Sequence, residues 1–115
     1  MIVALIPESS HAETLLNNLA EADFQLADVS VIMRDVKTRN AIAQDAGPLR
    51  GTLSTDLAAK LRQIGISKQD ARTFSEGVAN GQVLIAMTAA PSSEKAAVEM
   101  MKDHSATLIK VIPNR

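Results

Sequence analysis

Cysteine is absent from the 115-residue chain, which removes disulfides, thiolate nucleophiles and Cys-ligated metals, and nothing argues for secretion. Tryptophan and tyrosine are absent too, leaving Phe24 and Phe74 as the only aromatic residues. Nucleic-acid binders show a basic face and, for single strands, stacking rings. Here 12 basic residues stand against 13 acidic ones, so nucleic acid is not an expected partner. No apolar stretch approaches the roughly 20 residues that span a bilayer. The first helical segment carries Glu13, Asn17, Asn18 and Glu21 instead of the apolar core of a signal peptide. A membrane is therefore not an expected partner either, and the expected location is cytoplasmic.

What is present is a β-α-β pattern that occurs twice. The apolar run Ile2 to Ile6 leads through Pro7, Glu8, Ser9 and Ser10 into a helical stretch and then into Val29 to Met33. Val83 to Met87 leads through Pro91, Ser92 and Ser93 into a second helix and then into Leu108 to Ile112. Ser10 with Glu13 has capping-box spacing, and Ala12, Leu15, Leu16, Leu19 and Ala22 recur at helical intervals, so the first helix is expected over about Ser10 to Asp23. The second strand is expected over about Asp28 to Arg34. In the last helix Pro91 suits the first turn or the lead-in, Ser93 is a candidate N-cap, and the end is expected near His104.

Between the halves, residues 35–50 are polar and punctuated by Gly47 and Pro48, which predicts irregular structure or a short frayed helix. Leu57, Ala58, Leu61 and Ile64 then mark a helix that Gly65 terminates. Ser67 and Asp70 begin another, carried by Ala71, Phe74, Val78 and Ala79 and stopped at Asn80-Gly81. Gly77 interrupts that helix, and close packing of another backbone is its simplest explanation.

These elements predict one α+β domain over residues 1–115, a ferredoxin-like sandwich whose helical insertion at about 35–81 replaces the tight hairpin between the second and third strands. Ile2 to Ile6 and Val83 to Met87 are apolar at consecutive positions, which marks strands buried on both faces. Two helices cover one face. The other is left to the inserted helices, a second subunit or both, and a homodimer through the sheet face is expected.

Three stretches together resemble the YflT-like heat-induced stress protein domain, also described as a general stress protein domain. They are the opening Val3-Ala4-Leu5-Ile6 strand with its helix, the segment Leu26 to Asp35, and Gly65-Ile66-Ser67-Lys68-Gln69-Asp70-Ala71 with Glu76-Gly77-Val78 and Gly81 to Ala86 after it. The likeness covers nearly the whole chain. It departs at Phe74-Ser75, where a more aromatic pair would stand, and after Asp35, where no long glycine-rich linker follows. The resemblance implies a small bacterial stress-associated protein without established enzyme chemistry, and it transfers no catalytic residue or cofactor.

Two candidate sites come from the residues themselves. Arg34, Lys37, Arg39 and Arg50 cluster around Gly47-Pro48-Leu49-Arg50-Gly51, where the amides of a following helix could assist an anion site; a solvated mixed-charge loop with Asp35 and Asp45 is the competing reading. This is no phosphate loop, because the Gly-Lys-Ser/Thr ending is missing. His11 and His104 are the only histidines. Antiparallel crossover helices would bring them to one end of the sheet, where Glu8, Glu13 or Asp103 would complete a metal site. Against this, His104 complements a helix C-terminus and His11 is a first-turn residue in solvent. The serines sit at helix starts, where capping explains them, and the methionines read as core filler. The expected role is a non-enzymatic, stress-associated module acting through self-association or protein contacts. The alternative is a sensory domain for a small anion or a metal, and an enzyme assembled at a subunit interface is the third reading.

Overall fold

The structure, a computed structural model, describes residues 1–112. In chain order the elements are β1 (Ile2–Ile6), α1 (Ser9–Glu21), β2 (Val29–Ile32), α2 (Val36–Ile42), α3 (Leu57–Gln63), α4 (Lys68–Ala79), β3 (Val83–Met87), α5 (Pro91–Asp103) and β4 (Leu108–Val111). The strands form one open sheet in the order β2-β3-β1-β4. Every neighbouring pair is antiparallel, with Ala4 opposite both Ile85 and Ile109, and Val31 opposite Ile85.

Alternation along the strands divides the core in two. Ile2, Ala4, Ile6, Val29, Val31, Val83, Ile85 and Met87 join Leu15, Leu19, Ala97 and Met101 in one cluster under α1 and α5. Val3, Leu5, Ile32, Leu84 and Ala86 join Leu57, Leu61, Ala71, Phe74 and Val78 in a second cluster under α3 and α4. Both faces of the sheet are thus covered by the chain's own helices. The sheet-face homodimer loses the free face it requires, because α3 and α4 occupy it. Among the described residues, no helix is long and apolar enough to cross a membrane.

Four of the five helices end in the same way. After α3, Gly65 (φ 108°) donates its N–H to the Arg62 carbonyl and Ile66 donates to Leu61. After α4, Gly81 (φ 97°) donates to Val78 and Gln82 to Gly77. This is the Schellman arrangement, in which a left-handed residue lets two amides satisfy carbonyls that the last turn leaves open. The glycines announce it in the sequence. α1 and α5 use it with Asp23 and Ser105, both at φ 68°, and these side chains give no such warning.

Local expectations fail where a tertiary partner or a better cap takes over. The Ser10/Glu13 box does not form: α1 starts at Ser9 with Glu8 as an N-cap that makes no side-chain bond. Ser93 lies inside α5, whose N-cap is Ala90. Ser67 does cap α4, its hydroxyl accepting from the Asp70 N–H at 3.2 Å. Gly77 is explained by a side chain and not by a backbone, since a Cβ there would sit 2.5 Å from Leu5 Cδ2.

Candidate functional site at the β2 edge

β2 is an outer strand, and the segment that follows it folds back along its edge. Asp35 starts α2: its carboxylate accepts from the Thr38 hydroxyl at 2.8 Å and from the N–H groups of Lys37 and Thr38. The Thr38 hydroxyl, foremost, holds the Asp35 carboxyl below its ordinary value. After α2 the chain is clamped by Ser30, the one buried polar side chain among the described residues. The Ser30 hydroxyl donates to the Ala46 carbonyl at 2.6 Å and accepts from the Leu49 N–H at 2.8 Å. Its donor and acceptor needs are both met, so a hydroxyl can stay inside the core. Leu49 is then carried into the cluster beneath α3 and α4.

Gly47 makes that approach geometrically feasible. Its φ is +79°, and a Cβ would lie 2.5 Å from Ser30 N and 2.6 Å from Val29 C. Those are backbone atoms of a strand, which cannot step aside as a flexible side chain would. Gly47→Ala should therefore cost about 2–3 kcal/mol, combining left-handed strain with the loosened Ser30 clamp. Urea denaturation checks this, and a loss under about 0.5 kcal/mol, the scale of an ordinary surface substitution, would show that the clamp moves freely.

Beside the clamp, the edge of β2 forms one wall of a cleft of about 330 Å³. Val31 and Ile32 line it from the strand, Met33 from just past its end, Val36 and Arg39 from α2, and residues 51–55 close the opposite side. Two large apolar side chains flank it in the open: Val36 is 56 % exposed and Leu53 64 %. The strand presents polar backbone there as well. The Thr88 N–H bonds the Asp28 carbonyl, so Asp28, Ser30 and Ile32 exchange bonds with β3, while Val31 turns its N–H and C=O outward. Val31 is nonetheless only 4 % exposed, because residues 46–49 fold back beside the strand.

The four basic residues do not converge on one pocket. Arg39 lines this cleft. Arg50 lines a neighbouring one that shares Gly51 and Thr52 with it. Arg34 lines another that shares Ser54 and Thr55, and its guanidinium donates to the Ala79 carbonyl at 2.9 Å. Lys37 lines none of these. The seat an anion would take is filled from within: the Asp45 carboxylate accepts from the Gly51 N–H at 3.0 Å and lies 4.0 Å from Arg39 Nη1.

The histidines do not assemble a metal centre. His104 Nε2 lies 2.8 Å from Asn18 Nδ2, tying the end of α5 to α1 two turns beyond His11. His11 Nδ1 is buried without a hydrogen-bond partner among the described residues. Among those residues, no group of three His, Asp or Glu side chains is placed to hold a metal ion. Residues that matter at the cleft and drew no attention in the sequence are Ser30, Val36 and Leu53. For Ser30, one polar residue inside the run Val29 to Met33 was the available signal.

No family model matches the chain, and neither do the curated proteins or solved structures compared with it.

Proposed function

We propose that this chain is a non-enzymatic binding module that works through protein contacts made at the β2 edge. Its architecture, on this reading, is ferredoxin-like: the order β2-β3-β1-β4 with two interleaved β-α-β halves supports that arrangement. The observation that carries the functional reading is the cleft itself. Two exposed apolar side chains, Val36 and Leu53, stand at the opening of a cleft of about 330 Å³ beside an outer strand. Apolar side chains left in the open around a concave surface mark a place where another protein can pack. A stress-associated, bacterial setting rests on the resemblance described above, and the cytoplasmic location on the composition. Small-anion sensing is the weaker reading, because Asp45 already takes the Gly51 amide and faces Arg39.

The test compares the parent chain with a Val36→Ser/Leu53→Ser double variant as bait in lysate of the source cells. A stoichiometric partner, or a second copy, should be recovered with the parent and lost with the variant. Equal recovery with both would remove the β2 edge as the contact site. Since both side chains are exposed, the variant should keep the parent's fold.

A further inference from the structure

We infer that the other outer strand, β4, is a self-association surface, on which a second copy of this chain pairs edge to edge about a two-fold axis and joins two four-stranded sheets into one. This contact is separate from the cleft beside β2 and does not depend on it. The two edges of the sheet differ in cover. Val29 to Ile32 are no more than 6 % exposed beside the returning residues 46–49. On β4, Leu108, Ile109 and Lys110 are only half-buried and Val111 is 45 % exposed. Register shows which backbone groups are open there. Met1 and Ile112 exchange two bonds, the Ile112 N–H donating to the Met1 carbonyl at 2.7 Å and the Met1 ammonium to the Ile112 carbonyl at 2.8 Å. Bonded pairs recur every second residue in an antiparallel ladder, so Lys110 bonds with Val3 and Leu108 with Leu5. Ile109 and Val111 are the alternate residues and turn their N–H and C=O groups away from β1, which is the only neighbour of β4 among the described residues.

A second copy fits this edge because the row of open groups is its own complement. With Lys110 on the axis, Ile109 of each copy stands opposite Val111 of the other, and the two donors and two acceptors of one edge meet those of its twin. Side chains agree with that pairing. Ile109 packs against the cluster under α1 and α5, and Val111, two residues on, shares its face. Each exposed Val111 thus gains an aliphatic neighbour directly across the new ladder. Charge is the obvious objection, since a lysine on an edge strand ordinarily blocks pairing and like charges opposite one another are unfavourable. Here the Asp70 carboxylate lies 3.3 Å from Lys110 Nζ, on the face covered by α3 and α4. The two ammoniums therefore meet with a counter-ion already in place. The strand is four residues long, so the contact falls below the roughly 1,200 Å² of a standard stable interface, and monomer and dimer should interconvert with concentration.

Sedimentation velocity of the purified full-length chain from about 1 μM to about 1 mM, the range of weak association, should show monomer giving way to dimer. Hydrogen exchange at the Ile109 and Val111 amides should slow in step with it, and exchange along β2 should not change. Val111→Pro removes an outward N–H and no bond to β1, and Val111→Lys replaces the apolar contact with a charge. Each should stay folded by circular dichroism and raise the dimer dissociation constant at least about tenfold. Val36→Ser/Leu53→Ser should dimerise as the parent does, which separates this contact from the β2 cleft. A monomer at every concentration, a dimer that both position-111 variants keep, or a dimer abolished by the cleft variant would overturn the inference. If the position-111 variants unfold, the parent decides alone: Ile109 and Val111 amides whose exchange is indifferent to concentration rule the edge out.

Discussion

Val31→Asp should leave a chain that is mostly unfolded at neutral pH and recovers stability in acid, with no folded monomer released from a dimer. Val31 is 4 % exposed, stands opposite Ile85 and belongs to the core cluster under α1 and α5. A carboxylate cannot remain ionised there without a partner, so the folded state must bind a proton. Drawing that proton at pH 7 onto a group whose ordinary pKa is about 3.9 costs about 4 kcal/mol. The lost valine burial adds about 1.5 kcal/mol. Together these approach the whole stability of a small domain. The sign follows from linkage. The folded pKa of the new group is raised, so the unfolded state binds fewer protons above pH 4 and stability falls as pH rises. Acidification towards pH 4 should therefore narrow the gap to the parent, as read by urea midpoints across pH. A well-folded, pH-indifferent variant would show that Val31 does not sit in the core.

Phe74→Ala should cost about 3–5 kcal/mol, because it empties the centre of the second cluster. Phe74 is fully buried on α4 and packs with Val3, Leu5, Leu84 and Ala86 from the sheet and with Leu57 and Leu61 from α3. Phe74→Leu keeps most of that volume and should cost less than about 1.5 kcal/mol. Because the covering helices belong to the same chain, the loss should not change with protein concentration. Denaturation at two concentrations a hundredfold apart checks this. A loss that shrinks at the higher concentration would mean that a second copy helps to cover the face.

Much of the fold was legible because its signals are local. Consecutive apolar residues at Ile2 to Ile6 and Val83 to Met87 marked central strands, and those are the two inner strands of the sheet. Gly65 and Asn80-Gly81 marked helix ends through a conformation that glycine adopts without strain. The same motif at Asp23 and Ser105 was hidden, since neither residue type demands it. Residues 35–50 hid more. The short helix α2 depends on the Asp35 cap, and the return of residues 46–49 depends on a serine 16 residues upstream of Ala46.

The candidate site was the least legible part. Sequence proximity grouped Arg34, Lys37, Arg39 and Arg50, and the fold distributes them around a cleft. The order of elements, the inner strands and the helical insertion were properties of the sequence alone, because periodicity and turn residues act over a few residues. Which helices cover the second face, which strand is left at the edge and which backbone groups go unpaired there were decided by tertiary structure. Those outcomes depend on contacts between residues far apart in the chain, whose closure no local pattern encodes.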